Sequence, residues 1–440
     1  MSALKPNLKT WFSTRDWSER ILTADPSWFT VSMGTGVCTQ LLIKFPYPAG
    51  WLKTIAYIFW VDMHVNIADI CIFAFFMALG ILRVIIYPRV ARTVVDDFSQ
   101  TSYLGAVAVA FETIILGIVS FYSGHHAAMY VAEVMYWVAT ALSLFVACGG
   151  LFFMYQRQKQ HSFSDINGAW FLTFIPLIVD STVGGAISPY LSYENSVTVL
   201  VTSFLMWSVG VGMSLVILSL YFWRLMSCQL PPREAIISTF VPVGPFGMGA
   251  YSIQQMAVGL ASQVREHRFT LARPPQPPND MTTMATIAEG IHWLGIIVAL
   301  VQLGIASFLL VEACLSVCAK VPKTFNVGFW SLVFPCGVYS NAWNTMSQDI
   351  RSNGLKGWGA FCSVATIALW LFCAVMCFHK GVWQGKLFFA PGLQGLVEHR
   401  ELEKRNRNDG APLEYNVRGT VAGSDVRNVT DRYPQPDGSY

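Results

Sequence analysis

Four acidic residues lie inside long apolar stretches of the sequence, where a charged side chain is costly unless it faces protein or water: Asp69, Glu112, Asp180 and Glu289. Their carboxyl groups could relay protons, or they could reject ions of one sign. The structural alternative is a buried hydrogen bond or a contact between subunits. Because no ring of Lys or Arg accompanies these acids, we favour the structural alternative.

Phe334 stands directly before a proline in the middle of another apolar stretch, residues 326–341. Pro335 has no backbone N–H and its ring crowds the carbonyl one turn back, so we expect the helix to bend there and leave a carbonyl without a partner. At membrane depth such a break is tolerated where it is packed in protein or lines a wet cavity. Phe334 is therefore either an aromatic gate across a pore or part of a kinked packing helix.

The same pairing of an aromatic residue with a proline recurs in a looser form. Phe174 stands two residues before Pro176, and Phe240 stands two residues before Pro242. Aromatic rings at the bends of several helices could meet on one axis as a hydrophobic constriction. Ordinary core packing is the alternative for each of these rings.

Hydroxyl groups are the remaining polar candidates within the apolar stretches: Ser32, Thr35, Ser181, Thr182 and Ser331. Without buried cations, an anion would be attracted by helix ends, amide groups and such hydroxyls. Signatures of catalysis are missing, since the sequence has no HExxH, no GxSxG, no P-loop and no intramembrane histidine pair at haem spacing. We therefore expect no enzymatic activity, no cofactor and no metal site.

Composition points to the lipid bilayer as the solvent of this chain. Of 440 residues, 54% are hydrophobic and only 12% are charged, about half the charged fraction of a typical soluble protein. The net charge of +3 is too small and too dispersed to favour a nucleic-acid partner. The 10 cysteines lie mostly in apolar runs and form no CxxC pair, so we interpret them as small buried side chains.

A window of about 20 residues finds ten apolar stretches, near 27–44, 52–88, 101–122, 128–155, 168–190, 196–226, 234–264, 283–318, 324–347 and 355–379. Residues 1–26 form an N-terminal segment with an amphipathic interfacial helix over 8–22, residues 27–380 form the transmembrane domain, and residues 381–440 form a polar tail that we expect to be largely disordered. The positive-inside rule places both termini in the cytoplasm.

Helix-breaking residues are distributed unevenly among these stretches. Interior prolines occur only in the fifth, seventh and ninth stretch, and the first and third have interior glycines, whereas the even-numbered stretches have no interior proline. Irregular backbone belongs beside a cavity and regular helix belongs beside lipid. The sequence therefore predicts an all-α membrane protein of five helical hairpins, with the odd helices in an inner pore ring and the even helices in an outer ring.

Three segments carry a resemblance to a known family: Phe29-Thr-Val-Ser-Met-Gly-Thr-Gly36, residues 240–249 and residues 325–337. With these segments the chain resembles the fungal sulfite efflux pumps of the tellurite-resistance/dicarboxylate transporter family, which also includes the plant slow anion channels and yeast malate permeases. The resemblance covers about residues 27 to 380. It implies a five-hairpin pore, a homotrimer with one pore per subunit, an aromatic gate on the ninth helix that matches Phe334, and no cofactor.

We therefore expect a multi-pass plasma-membrane transporter that exports the small anion sulfite or bisulfite. The alternatives are a malate or other dicarboxylate permease and a nitrate or chloride channel of the same family. The residues expected to line the pore, besides the gate Phe334, are Phe29, Ser32, Thr35, Gly36, Phe111, Phe174, Pro176, Phe240, Pro242, Pro245, Phe246, Ser331 and Pro335.

Overall fold

A computed structural model describes residues 21, 25–47, 61–88, 94–158, 161–233, 235–267, 281–322 and 325–380. Side chains are described for these residues except 61–66, 267, 281 and 282. The predicted interfacial helix over 8–22, apart from residue 21, and the predicted polar tail over 381–440 lie outside the described residues.

The described residues are helical almost throughout and contain no strand. In chain order the helices are α1 (Phe29–Ile43), α2 (Val61–Ile86), α3 (Phe98–Tyr122), α4 (His126–Gln156, with a π-helical turn at Phe145–Gly149), α5 (Ile175–Ile187), α6 (Tyr193–Cys228), α7 (Val243–His267), α8 (Met281–Ala319), α9 (Trp330–Ile350) and α10 (Asn353–Phe378). The all-α prediction is confirmed for this part of the chain.

Seven of the helical segments in the described ranges are long and apolar enough to cross a membrane: Ile67–Ile86, Phe98–Tyr122, His126–Gln156, Tyr193–Cys228, Ile236–Glu266, Thr283–Ala319 and Asn353–Phe378. The helices outside this set are α1, α5 and α9. Of these, α1 has 15 residues and α5 has 13, less than the roughly 20 that a regular spanning helix needs. The multi-pass character is thus established by composition, and it rests chiefly on the long regular helices.

The prolines of the fifth and seventh stretches begin helices, which differs from the interior kinks that the sequence predicted. Pro176 lies in the first turn of α5, after a 3₁₀ turn at Gly168–Thr173. Pro242 immediately precedes α7, and Pro245 is its third residue. A proline is tolerated there because the first N–H groups of a helix have no partner within it. In the described α-helices, the one proline beyond the first turn is Pro335 of α9.

The odd-numbered helices form a closed cycle of neighbours, in which α1 packs on α3, α3 on α5, α5 on α7, α7 on α9, and α9 on α1 again. Each of them also packs against the helix that follows it in the sequence. In the most apolar part of Ile236–Glu266 94% of the residues are buried, against 11% for Ile67–Ile86 and 22% for Asn353–Phe378. The even-numbered helices therefore present apolar surface to the outside, as lipid requires.

Candidate functional site

A glycine lies at each contact between neighbouring helices of the cycle. A Cβ added at Gly185 of α5 would lie 2.6 Å from the backbone nitrogen of Met256 in α7, far too close for any real side chain. The other junctions have Gly36 beside Thr113 of α3, Gly105 beside Leu172 and Pro176, Gly247 beside Tyr339 of α9, and Gly337 beside Val37 of α1. Close approach through small residues fixes the rotation of each helix, and so decides which side chains face the inside.

The position of Phe334 follows from the partners of α9. Gly337 faces α1 and Tyr339 faces α7. Ser340 faces α10, since its hydroxyl oxygen lies 3.3 Å from that of Thr366. Successive helical residues are about 100° apart, so Phe334 lies about 60° from Gly337 and about 140° from Tyr339, on the arc between the α1 and α7 faces. Phe334 is therefore on the inner side of α9, and it is 1% exposed.

Residues from three helices meet at the level of Pro335. A Cβ added at Gly244 in the first turn of α7 would lie 3.4 Å from Ile175 Cδ1 of α5 and 3.7 Å from Pro335 Cγ of α9. Ile175 and Phe334 are both 1% exposed. The side chains that meet at this level are therefore buried and apolar.

Two aromatic residues that the sequence predicted as pore lining contact an outer helix. The ring of Phe73 on α2 lies 5.5 Å from that of Phe29 and 6.0 Å from that of Phe111. Phe29 also lies 6.1 Å from Phe76 of the same helix. These rings fill the space between the cycle and α2.

The predicted lining residues of the Ser-Met-Gly-Thr-Gly segment also contact outer helices. Ser32 donates to Asp69 Oδ1 of α2 at 2.6 Å, and a Cβ added at Gly36 would lie 2.7 Å from Asp69 Oδ2. Trp370 of α10 donates through Nε1 to the Thr35 hydroxyl at 3.1 Å. These three residues therefore lie on the sides of α1 that pack against α2, α3 and α10.

The remaining predicted residues are all buried at the starts of α5, α7 and α9: Phe174, Pro176, Phe240, Pro242, Pro245, Phe246, Ser331 and Pro335. Phe240 packs in a small cluster with Ala313 of α8 and Leu332 of α9. Ser331 donates to the carbonyl of Gly328 at 2.6 Å, which satisfies its hydroxyl locally.

Three of the four acids accept hydrogen bonds across the boundary between the cycle and the outer helices. Asp69 accepts from Ser32 as described, Glu112 accepts from Ser143 of α4 at 2.5 Å, and Asp180 accepts from Thr140 of α4 at 3.0 and 3.2 Å. These are the buried hydrogen bonds that the structural alternative requires. Glu289 differs because it is exposed on α8. Within the described ranges no group of three or more His, Cys, Asp or Glu residues could hold a metal ion.

Residues 23–378 match the family described as the voltage-dependent anion channel, SLAC1. The matched segment includes every helix from α1 to α10. This chain belongs to the SLAC1 family.

Relatives of this SLAC1 protein include several transporters. It is 29% identical over 371 residues to the sulfite efflux pump SSU1 of Arthroderma otae, and the match covers 83% of this chain and 92% of that protein. The sulfite efflux pump SSU1 of Saccharomyces cerevisiae is 24% identical, with 72% and 77% of the two chains covered. The malic acid transport protein of Schizosaccharomyces pombe is 21% identical, with 80% and 77% covered.

Four polar residues on the inner side of this SLAC1 bundle escaped the sequence reasoning: Gln40, Lys44, Tyr251 and Asn341. Lys44, the residue after α1, and Tyr251 of α7 are in contact, and the amide side chains of Gln40 and Asn341 are buried. The only local signal was the spacing of four between Gln40 and Lys44, which places both on one face of a helix. The partner helix of that face could not be read from the sequence.

Proposed function

We propose that this protein exports sulfite or bisulfite across the plasma membrane, along a pathway inside the cycle of α1, α3, α5, α7 and α9. In this proposal all ten helices span the membrane, the termini are cytoplasmic, and α1, α5 and α9 complete their spans with the 3₁₀ turns that precede them. Phe334 is the gate of the pathway. The relatives bear the names of transporters and efflux pumps, which supports a function in transport and none in catalysis.

The observation that carries the substrate assignment is the extent of the match with sulfite efflux pumps. Two such proteins from Arthroderma species each align over 92% of their own length at 29% identity. The match to the malic acid transport protein is more distant, at 21% identity. A malate or dicarboxylate permease is therefore the second candidate, followed by a nitrate or chloride channel.

The charge of the pathway favours a small anion of low charge. At the level of Phe334, Ile175 and Gly244, the nearest described neighbours of Gly244 are the apolar side chains of Ile175 and Pro335, and Phe334 and Ile175 are 1% exposed. Isolated charge is very costly in such surroundings, and the cost rises steeply with the number of charges. Bisulfite should therefore pass this level more easily than the sulfite dianion or a dicarboxylate.

We also propose that three copies of the chain assemble, each with its own pathway. The support is the family resemblance together with the apolar outer surface of the even-numbered helices. Large exposed residues on this surface include Leu205, Trp223, Val301 and Phe361. Chemical cross-linking of the purified protein in lipid nanodiscs should give species up to three chains and no higher.

The deciding experiment is anion flux into proteoliposomes that contain the purified full-length protein. Sulfite, malate, nitrate and chloride are compared side by side at one pH and one ionic strength. We expect sulfite to be carried fastest, and we expect its flux at constant total sulfite to fall as the pH rises through neutrality, because bisulfite becomes scarcer. Faster malate than sulfite flux would replace the assignment with the second candidate, and a steady rise with pH would contradict the preference for bisulfite.

A further inference from the structure

Lys44, which follows α1, reaches across the inside of the cycle. Its Nζ donates a hydrogen bond to Tyr251 Oη of α7 and lies 4.8 Å from the centroid of the Tyr251 ring. In the cycle α1 neighbours α3 and α9, whereas α7 neighbours α5 and α9, so the contact joins two helices that are not adjacent. Lys44 is partly buried and forms no ion pair with a carboxylate in the part of the chain that the structure describes. Its charge is therefore not neutralised by a neighbour there.

Gln40 lies one turn before Lys44 on the same face of α1 and is 2% exposed. Its Oε1 accepts from the Ser120 hydroxyl of α3 at 3.2 Å, and its Nε2 has no hydrogen-bond partner. A carboxamide has two N–H groups. Even if the amide were turned so that nitrogen faced Ser120, one N–H would remain without an acceptor. A buried donor without a partner is costly, which indicates that an acceptor is missing from this position.

The corresponding turn of α9 has a second buried amide. Gly34 of α1 contacts Val333 of α9, and further along both helices Val37 contacts Gly337. The two helices therefore run in the same direction. Asn341, four residues after Gly337, is therefore level with the glutamine of α1. It is 1% exposed, and its Oδ1 has no partner.

This group of polar residues lies beyond the apolar level of the gate. Asn341 is seven residues after Phe334, which places it about two turns, or roughly 10 Å, further along the same face of α9. The pathway thus passes from a closed apolar level to a polar level with a cation.

We propose that Lys44 and Gln40 form a binding site for the transported anion in the half of the pathway beyond Phe334, and that the contact of Lys44 with Tyr251 closes this site when no anion is bound. The ligand is a small oxyanion, which rests on the proposed function. One oxygen of the anion takes the place of Tyr251 Oη at the Lys44 ammonium group. It also accepts a hydrogen bond from the free N–H of Gln40. Charge-assisted hydrogen bonds of this kind are about twice as strong as neutral ones, so the anion competes effectively with a phenol.

The site explains how a pathway with an apolar gate can attract an anion at all. A fixed cation on the far side of the gate lowers the energy of an anion that has just crossed it. Because the Tyr251 hydroxyl occupies the same ammonium group, binding remains weak enough for release, as conduction requires.

The test is sulfite binding by purified full-length protein, measured by isothermal titration calorimetry, together with the KM for sulfite in proteoliposomes. Lys44→Met should weaken binding by about tenfold or more, the loss expected for a charge-assisted hydrogen bond, and Lys44→Arg should restore most of it. Tyr251→Phe removes the competing hydroxyl and should lower both Kd and KM. The Kd change for Tyr251→Phe is opposite in sign to that expected from loss of a merely structural contact.

Lys380→Met is a matched control. Lys380 also lies over an aromatic ring, 5.6 Å from the centroid of Phe325, and donates to a backbone carbonyl, but it follows α10 and lies outside the cycle. This variant removes the same charge and should bind sulfite as the unmodified protein does. Equal Kd values for Lys44→Met and Lys380→Met would overturn the site, and so would a Tyr251→Phe protein with unchanged or weaker binding, which remains decisive if Lys44→Met fails to fold.

Failure of the substrate assignment would look different. In that case the unmodified protein would neither bind nor carry sulfite but would carry malate, nitrate or chloride. The same variants are then compared with the anion that is carried, and equal KM values for Lys44→Met and the unmodified protein would overturn the site independently of which anion that is.

Discussion

At the scale of single residues, the neighbours of a side chain decide its role more than its type does. Phe111 and Phe334 are both aromatic residues on helices of the cycle. Phe111 contacts Phe73 of α2, whereas Phe334 lies on the inner side of α9, between the faces toward α1 and α7. The sequence predicted Phe334 as the gate and Phe111 as a pore-lining residue, and only Phe334 remains in the proposed pathway.

Phe334→Ala should raise sulfite flux in proteoliposomes, because it removes an apolar ring that blocks the path and excludes water. Phe334→Leu should retain much of the barrier. In the unmodified protein, moving the ring aside needs little more than a rotamer change of about 0.5 to 1.5 kcal/mol, so a closed gate can still open.

Phe171→Ala is the control for packing. Phe171 is fully buried and its ring lies edge-on to Tyr221 of α6 at 6.1 Å. Truncation of a core phenylalanine costs about 3 to 5 kcal/mol, so this variant should melt at lower temperature without a gain in flux. A well-folded Phe334→Ala protein with unchanged or reduced flux would remove Phe334 from the gate.

Glu112→Gln should change stability and leave anion selectivity unchanged. Glu112 is fully buried and accepts from Ser143 of α4, on the outer side of α3. Replacing the carboxyl group that accepts this buried hydrogen bond is expected to alter the free energy of unfolding by about 1 to 3 kcal/mol. Anion selectivity is measured as the ratios of the sulfite, nitrate and chloride fluxes. A folded variant with a different ratio would place the acid on the anion path.

At the scale of elements, glycine contacts between helices determine how the cycle closes. Each junction brings a glycine against the backbone or a side chain of the next helix. In lipid, association of helices depends on such close packing because there is no hydrophobic effect between apolar helix surfaces. Close contacts at these glycines therefore stabilise the cycle.

Gly185→Ala should strongly destabilise the protein. The added methyl group would meet the backbone of α7, 2.6 Å from Met256 N and 2.8 Å from Gln255 C, and backbone cannot turn aside. Gly290→Ala in α8 is the matched control, since an added Cβ meets nothing within 4 Å and alanine favours helix by up to about 1 kcal/mol. The melting temperatures of the two variants are measured in the same detergent. Equal melting temperatures would contradict a stabilising role for the contact between α5 and α7.

The N-terminal cap of the first helical turn predicts a pH-dependent stability. Asp25 accepts from Ser27 N at 3.2 Å and from Ser27 Oγ at 2.5 Å, ahead of the turn Pro26–Trp28 that leads into α1. Burial raises the pKa of Asp25 from 3.8 to about 6, against the lowering effect of the Ser27 hydrogen bonds and of Arg83. The folded state therefore binds this proton more tightly than the unfolded state does.

The sign of the effect follows from that difference. Protonated Asp25 favours the fold, so its contribution is largest below pH 4, falls as the pH rises from about 4 to 6, and is constant above. Over this pH range the contribution of Asp25 to the free energy of unfolding changes by about 3 kcal/mol. Asp25→Asn retains an acceptor for Ser27 and should remove this component, so the melting temperature of the variant minus that of the unmodified protein should rise between pH 4 and 6. A constant difference would show that the pKa is not raised.

At the scale of the whole molecule, the fold does not depend on covalent cross-links. All ten cysteines are free. A protein that releases sulfite would be exposed to a reagent that cleaves disulfides by nucleophilic attack on sulfur, so independence from disulfides suits the proposed function.

Treatment of the purified protein with a thiol reductant should therefore leave its melting temperature nearly unchanged. The comparison is made in the same detergent before and after reduction, with a disulfide-bonded protein as positive control for the reagent. A fall of many degrees would mean that a cross-link between chains stabilises the native assembly.

The sequence by itself determined that the chain is helical and that it crosses the membrane several times. These properties follow from local transfer free energies and from the backbone of proline and glycine, so they are encoded within windows of about 20 residues. The motifs also sufficed for the family. The sequence placed Phe334 and Pro335 within one helix, and the structure has Pro335 inside α9, because a proline within an apolar stretch is a local signal.

Only the tertiary structure decided which face of each helix is turned inward. Within α1, Thr35 contacts Trp370 of α10 and Ser32 contacts Asp69 of α2, whereas Lys44, directly after α1, reaches the helix on the other side of the cycle. All three are polar residues in or next to one helix, and their spacing gives their relative angles but no absolute direction. That direction is set where glycines of α1, α3 and α9 meet residues distant in sequence, because close packing leaves a single rotation in which backbone and side chains do not overlap.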